Sequence, residues 1–149
     1  MGSYKEIKGD LLDLFDKGEF TTIMHGANCR KTMGAGIAKQ IKDRYPEVYY
    51  ADKYFYLPEG LWRLGKYSSN EAGSIINLYT QDLPGPNASL EAIKLALRLV
   101  ADDILMQGEL IGLPQIGCGI GGLKWEDVKP IIQEELKDFD VTIVIYDKN

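Results

Sequence analysis

The sequence is poor in several of the residues and patterns on which whole classes of protein depend. It contains one histidine and two cysteines, and its formal net charge is −5 at pH 7. A zinc site needs more histidine or cysteine ligands at short spacing than this chain offers. The negative charge excludes a broad basic surface for nucleic acid or an anionic membrane. No apolar run approaches the roughly 20 residues that cross a bilayer. We therefore expect no metal, no cofactor and no membrane partner.

The cysteines and the N-terminal residues bear on the cellular compartment. Cys29 and Cys118 each lie in a glycine-rich stretch. A disulfide between them is conceivable, but so few cysteines are more typical of a reduced protein. Residues 1–10 are polar and charged, unlike the apolar core of a signal peptide. We expect a cytoplasmic protein that is a monomer.

What is present is a regular alternation of strand and helix patterns in 149 residues, 45% of them hydrophobic. Strands are predicted at 4–8, 21–24, 62–67, 74–80, 110–113 and 141–146. Helices are predicted after the natural N-cap Asp10, at about 34–44, at 48–54, from Leu90 to at least Ile104, and at 128–136 with Pro130 in the first turn. This order predicts one domain, residues 1–149, built as an α/β sandwich around a mainly parallel sheet.

Two glycine-rich stretches each lie between a predicted strand and a predicted helix. The first contains Gly34-Ala35-Gly36, and the second has four glycines within residues 117–122. Glycine lets backbone N–H groups and a helix N-terminus approach an anion closely. Two such turns in a small domain predict a ligand that is held from both sides, a diphosphate in particular. Two unrelated loops are the alternative.

Two polar residues near these stretches are candidates for catalysis. His25 is the only histidine and the natural proton carrier at neutral pH. Asp82, in the loop after Thr80, could serve as base, nucleophile or water-positioning group. Each has a structural alternative, because His25 could order its loop and Asp82 could form a turn. Ligands of parallel sheets bind beyond the carboxyl ends of the strands, so these residues can share one rim with the two glycine-rich stretches. Cys29 is better explained as a buried small residue than as a nucleophile.

Several segments together resemble a known family. Gly9-Asp10-Leu11, Asn28-Cys29, residues 33–38, residues 113–125 and Ile145-Tyr146 are similar to the corresponding segments of macrodomains. The resemblance covers nearly the whole chain in order. It implies a three-layer α/β/α sandwich with a mixed, mostly parallel central sheet. Within the family, the chain is most similar to the branch that holds the ADP-ribose 1″-phosphate phosphatases, the terminal ADP-ribose glycohydrolases and the DNA ADP-ribosyl glycohydrolases.

The resemblance implies ADP-ribose or a derivative as the ligand. Asp10 would accept a hydrogen bond from the adenine amino group, Tyr146 would pack on the adenine, and Asn28 would bind the distal ribose. The remaining implied contacts come mainly from the two glycine-rich stretches: Leu11, Gly34, Ala35, Gly36, Ile37, Gly117, Cys118, Gly119, Ile120, Gly121 and Gly122.

The positions at which this chain differs from the family pattern distinguish between the glycohydrolase and phosphatase activities of the branch. The glycohydrolases of this branch carry a catalytic lysine after the strand-end threonine, where this chain has Gln81, and one type carries an aspartate where this chain has Gly121. The phosphatases carry a His-x-x-Asn-Cys arrangement, which His25 to Cys29 match. The resemblance therefore implies a phosphatase that acts on ADP-ribose 1″-phosphate, with His25 and Asp82 as the catalytic residues. The alternatives are a hydrolase that removes ADP-ribose from protein or nucleic acid, and a non-catalytic ADP-ribose reader. Nucleic acid would be a partner only if ADP-ribosylated.

Overall fold

A single six-stranded sheet forms the centre of the protein. The computed structural model describes residues 2–147. The strands are β1 (Tyr4–Gly9), β2 (Thr22–Asn28), β3 (Tyr67–Ser69), β4 (Ile75–Gln81), β5 (Leu110–Leu113) and β6 (Asp140–Tyr146). They lie in the order β1-β6-β5-β2-β4-β3, and every neighbouring pair is parallel except β3 with β4. The predicted mixed, mostly parallel sheet is confirmed.

Helices cover both faces of the sheet because neighbouring residues in the central strands point to opposite sides. The helices are α1 (Leu11–Asp16), α2 (Gly36–Arg44), α3 (Pro46–Lys53), α4 (Leu90–Asp103) and α5 (Trp125–Glu135). Ile23, Ile75 and Val144 pack with helices α1 to α3, whereas their chain neighbours pack with α4 and α5. This gives the expected three layers. None of the helices within residues 2–147 has both the length and the apolarity that a bilayer span requires.

Two of the differences from the sequence-based boundaries have identifiable reasons in this part of the fold. Residues 62–67 were predicted as a strand, but a 3₁₀ turn, Leu61–Arg63, precedes the three-residue strand β3. The fully buried guanidinium of Arg63 bonds to the Asp52 carboxylate and to three backbone carbonyls, those of Asp52, Leu57 and Phe55, which holds this segment away from the sheet. The last helix begins at Trp125, so Pro130 lies in its second turn. Its missing N–H removes one intrahelical hydrogen bond.

The five parallel strands all end at one edge of the sheet. Asp10 follows β1, Asn28 ends β2, Gln81 ends β4, Pro114 follows β5 and Tyr146 ends β6. The turn to helix α2 and the turn to helix α5 leave from this same edge. The predicted common rim therefore exists, and it positions the site.

Candidate functional site

A cleft of about 610 Å³ runs along the carboxyl edge of the sheet. It is lined by the turn after β1, the loop between β2 and α2, the loop after β4, the loop between β5 and α5, and the end of β6. All the residues that the resemblance assigned to ligand contact, except Gly122, lie in this lining: Asp10, Leu11, Asn28, Gly34, Ala35, Gly36, Ile37, Gly117, Cys118, Gly119, Ile120, Gly121 and Tyr146. Segments far apart in the sequence thus meet at one site.

Asp10 and Tyr146 lie together at one end of the cleft, because Gly9 and Tyr146 are register partners in the parallel pair of β1 and β6. Asp10 is the N-cap of helix α1, as predicted. Its Oδ1 accepts hydrogen bonds from the N–H groups of Leu12 at 3.0 Å and Asp13 at 3.1 Å. Both bonds go to one oxygen, so the other carboxylate oxygen takes part in neither. The Tyr146 ring is exposed. This end pairs a carboxylate with an aromatic face.

The first loop, residues 29–35, leads into the N-terminus of helix α2 at the middle of the cleft. Ala35 occupies the N-cap position and has no side chain that can bond the first N–H groups of the helix. Gly36 and Ile37, which open the helix, line the cleft. The chain reaches this position through residues with positive φ, and the buried side chain of Met33 fixes the loop. Uncapped N–H groups and the helix dipole make this a favourable place for an anion.

The second loop, residues 114–124, faces the first loop across the cleft. A Cβ on Gly121 would lie 2.7 Å from the carbonyl oxygen of Gly117 and 2.8 Å from the Cβ of Ala88, so no larger residue fits there. Gly122 packs against Pro86 and not into the cleft. The Ile120 side chain reaches the first loop, within 3.3 Å of where a Cβ of Gly36 would stand. The two loops therefore meet over the middle of the cleft.

The other end of the cleft, which we call the distal end, is polar but carries no ionised side chain. Asn28 donates from Nδ2 to Thr32 Oγ1 at 2.7 Å and accepts at Oδ1 from the N–H of Arg30 at 2.8 Å. Gln81 donates from Nε2 to the carbonyl oxygens of Leu83 and Gly85. Among the described residues that line the cleft, Asp10, Cys118 and Tyr146 are the titratable ones. Burial raises the pKa of the Cys118 thiol, which keeps it protonated. The distal end therefore lacks a side chain that could serve as general base.

His25 is fully buried and does not line the cleft, so its position gives no support to the catalytic role expected of it. Strand β2 does not end at His25 but continues to Asn28, so the imidazole is fully buried among the strands and helix α3. Its Nε2 lies 2.5 Å from Asn77 Oδ1, and Asn77 in turn donates to the Val48 carbonyl. Burial is the main cause that lowers the pKa of His25 to about 4. The imidazole is neutral at pH 7 and is a core residue.

Asp82 also lies outside the lining of the cleft. Its Oδ2 is 2.9 Å from a guanidinium nitrogen of Arg30, and its carbonyl accepts a hydrogen bond from the N–H of Cys29. Asp82 therefore ties the loop after β4 to the first loop, which is a structural role, and the catalytic role expected of it stays a prediction. Cys29 is fully buried, and burial is the main cause that raises the pKa of its thiol to about 12, so it is not a nucleophile.

Some lining residues were missed by the sequence analysis. Thr32, Thr80, Gln81 and Gln115 all line the cleft near its loops. The sequence could have indicated three of them, because residues at the carboxyl ends of parallel strands line such sites. Thr80 and Gln81 stand at the end of a predicted strand, and Gln115 lies just after another. Both cysteines are free thiols. No cluster of three or more metal-binding side chains occurs in the stretch from residue 2 to residue 147.

Comparison with known proteins finds a family profile and several related sequences that match this chain. The sequence profile of the Macro domain matches residues 24–132. An uncharacterised 17.5 kDa protein of Enterobacteria phage T4 is 35% identical over 94% of each chain. The DNA ADP-ribosyl glycohydrolase of Mycobacterium tuberculosis is 31% identical over 93% of this chain, which spans 40% of that protein.

Two further comparisons concern activity and fold. An ADP-ribose 1″-phosphate phosphatase of Aspergillus oryzae is 42% identical over 65 residues, which are 40% of this chain and 31% of that protein. The solved macrodomain of Mycobacterium tuberculosis DarG superposes with a TM-score of 0.74 at 27% identity, covering 97% of this chain and 98% of that one. Several relatives are thus hydrolases named for ADP-ribosyl substrates.

Proposed function

This chain belongs to the Macro domain family, and from that premise we propose that its cleft binds ADP-ribose. One observation carries the proposal: a carboxylate and an aromatic ring at one end, uncapped helix N–H groups in the middle and uncharged amides at the other end lie in one continuous cleft. The three parts match an adenine, a diphosphate and a ribose in order.

Each part of the ligand has a chemical counterpart in the cleft. The Asp10 carboxylate accepts from the adenine amino group, and the Tyr146 ring stacks on the base. The N-terminus of α2 and the backbone of the second loop hold the diphosphate, where fixed N–H dipoles supply the positive potential that the net charge of −5 does not. Asn28 bonds the distal ribose hydroxyls, and its amide is already oriented by Thr32 and Arg30.

Calorimetric titration with ADP-ribose, ADP and ribose 5-phosphate tests this proposal. We expect ADP-ribose to bind more tightly than either fragment, because only the whole molecule reaches both ends of the cleft. Equal affinity for ADP and ADP-ribose would contradict the assignment of the distal end.

Hydrolysis at C1″ of the ligand is the second candidate function, favoured by the hydrolase names of the relatives. In its specific form the protein would release phosphate from ADP-ribose 1″-phosphate. With His25 and Asp82 outside the cleft lining, such catalysis would rest on backbone N–H groups that stabilise the phosphate and on a water bound beside Asn28 at the distal end. The lack of an ionised side chain at the distal end favours slow turnover or ligand retention.

One side-by-side assay separates these activities. ADP-ribose 1″-phosphate, ADP-ribosylated DNA and ADP-ribosylated protein are each incubated with the protein, and phosphate and free ADP-ribose are measured. Equal amounts of phosphate and ADP-ribose from the 1″-phosphate support the phosphatase, and ADP-ribose released from the modified DNA or protein supports de-ADP-ribosylation. Tight binding without either product supports a reader.

A further inference from the structure

Two amide side chains stand next to each other at the distal end of the cleft, and the proposed function uses only one of them. Asn28 ends β2 and Gln81 ends β4, and the two are register partners in this parallel pair of strands. Neighbouring strands lie about 4.8 Å apart, so a group bound by one amide is within reach of the other. The hydrogen bonds that each amide already makes decide what it can still offer a ligand.

The carboxamide of Gln81 has one possible orientation. Its Nε2 donates to the carbonyl oxygen of Leu83 at 2.7 Å and to that of Gly85 at 2.8 Å. Because both partners are acceptors, a flipped amide would place its oxygen against two carbonyl oxygens. Both N–H donors of the side chain are therefore used to hold the loop after β4. Only the Oε1 atom of this side chain is left for a ligand.

The Oε1 atom of Gln81 is an available acceptor in the cleft. Within residues 2–147 no group donates a hydrogen bond to it, and it remains accessible to solvent. Gln81 lines the cleft together with Pro84 and Gly85 of the loop that it holds. A ligand that reaches the distal end therefore meets an oxygen that needs a donor.

Asn28 offers the complementary group. Its Oδ1 already accepts from the N–H of Arg30, and its Nδ2 gives one hydrogen to Thr32 Oγ1. The second hydrogen on Nδ2 is left for a ligand. The two neighbouring amides thus present one donor and one acceptor. Ribose hydroxyls can satisfy both, because each hydroxyl donates one hydrogen bond and also accepts.

An anionic group finds no such match at this end of the cleft. The described residues that line the cleft include no lysine and no arginine. The nearby Arg30 has a guanidinium nitrogen 2.9 Å from the Asp82 carboxylate, so its charge is already paired. A phosphate on C1″ of the ribose is a dianion above its second pKa of about 6, and it then has only acceptor oxygens to place against Gln81 Oε1. A free hydroxyl on C1″ can donate to that atom.

We propose that Gln81 determines which group the cleft accepts at C1″ of the distal ribose. Its Oε1 accepts a hydrogen bond from a free 1″-hydroxyl and disfavours every substituent that has no donor. This inference rests on the proposed function, because a bound ADP-ribose brings its C1″ to the distal end. It deepens that function by assigning the cleft to ADP-ribose with an unsubstituted C1″-hydroxyl, which favours ligand retention over hydrolysis of the 1″-phosphate.

Calorimetric titration with three ligands that differ only at C1″ tests the inference. They are ADP-ribose, its 1″-O-methyl glycoside as separate anomers, and ADP-ribose 1″-phosphate. The methyl glycoside is uncharged at C1″ and keeps the oxygen, but it cannot donate. Gln81→Met keeps the length of the side chain and removes its acceptor, and it also releases the loop. Asn87→Ala is the matched control, since Asn87 donates to the Pro84 carbonyl at 2.8 Å in the same loop but lies outside the cleft lining.

We expect the wild type to bind ADP-ribose roughly tenfold more tightly than the methyl glycoside or the 1″-phosphate. In Gln81→Met the affinities for ADP-ribose and the methyl glycoside should become nearly equal, because a residue of similar size keeps any steric effect but accepts no hydrogen bond. In Asn87→Ala the ratio of these two affinities should stay at the wild-type value, even if the released loop lowers both.

Three outcomes would overturn the inference. The first is equal affinity of the wild type for ADP-ribose and its methyl glycoside. The second is an unchanged ratio in Gln81→Met, which would leave Gln81 only as a support of the loop. The third is an equal loss of preference in Asn87→Ala, which would attribute the preference to the position of the loop. In each case ADP-ribose still binds, so the proposed function stands. If ADP-ribose itself does not bind the wild type, the proposed function fails and this inference with it.

Discussion

His25 Nε2 lies 2.5 Å from Asn77 Oδ1, and the two residues are register partners in neighbouring strands of the sheet. Asn77 uses its Nδ2 to donate to the Val48 carbonyl and to Ser68 Oγ, so its Oδ1 is the acceptor. His25 must therefore carry a proton on Nε2, and because burial lowers its pKa to about 4 the ring is neutral at pH 7. From Ser68 the contacts continue through Tyr79 to Asp52 and Arg63. The histidine thus belongs to a buried polar network that holds β2 and β4 to the segment after helix α3.

This burial predicts a specific dependence of stability on pH. The pKa of His25 is about 4 in the folded protein and about 6.5 in the unfolded chain. Between these values the unfolded chain binds the proton and the folded protein does not, so the free energy of unfolding falls as the pH falls from about 6.5 to about 4. The loss attributable to His25 is on the order of 3 kcal/mol. The Gln amide in His25→Gln can still donate to Asn77. Urea unfolding at several pH values should show that the free energy of unfolding of this variant depends less steeply on pH than that of the wild type. Equal slopes for both proteins would show that His25 titrates normally.

The same pair explains where sequence reasoning succeeded and where it failed. Strand-helix alternation located the sheet and its rim, and the glycine-rich stretches located the two loops of the cleft, because those features are local in the chain. His25 looked like the start of a polar turn because its partner, Asn77, is far along the sequence and in another strand. A polar residue satisfied by a distant polar residue cannot be distinguished from a surface residue by local pattern alone.

The aromatic residues after helix α3 give a second case. Tyr54 and Tyr56 are exposed, although such side chains are normally buried in part. Arg63 lies over the rings of Phe55 and Tyr79 and is fully buried, although arginine is almost never fully buried unless it is paired. Its partner Asp52 lies in a helix, and no local pattern marks the pair. The arrangement of these residues could therefore be recognised only from the structure.

Substitution of Asp10 separates its capping role from its proposed binding role. Asp10→Ala removes both, and should lower stability by about 1 kcal/mol and ADP-ribose affinity roughly tenfold. Asp10→Ser keeps an oxygen that caps helix α1 but has no carboxylate for the adenine amino group. We expect Asp10→Ser to have nearly normal thermal stability and the same loss of affinity as Asp10→Ala, measured by calorimetry. Normal affinity in Asp10→Ser would remove Asp10 from the binding site.

Two glycines in the second loop form a matched pair for testing its shape. A Cβ on Gly121 would meet the backbone of Gly117 at 2.7 Å, whereas a Cβ on Gly119 has nothing within 4 Å. Gly121→Ala should displace the loop, cost about 1–3 kcal/mol of stability and weaken ADP-ribose binding at least tenfold. Gly119→Ala should keep the stability of the wild type, which makes it the control for the cost of reshaping the loop. If the two variants bind equally well, the second loop does not hold the diphosphate.

The ion pair between Arg30 and Asp82 predicts that Asp82 can be substituted without loss of catalytic activity. The pair is partly exposed, with side-chain exposures of 37% and 23%, so it contributes at most about 1 kcal/mol to stability. In Asp82→Asn the amide oxygen can still accept from Arg30, so the loop after β4 keeps its position beside the first loop. For whichever substrate the side-by-side assay identifies, we expect kcat of Asp82→Asn to stay within roughly twofold of the wild type, since a general base contributes about 10²–10⁴-fold. Arg30→Gln, which removes the other partner, is the control for the ion pair itself and should give the same small change. A loss of kcat of a hundredfold or more in Asp82→Asn alone would return Asp82 to the catalytic role that its place outside the cleft lining argues against.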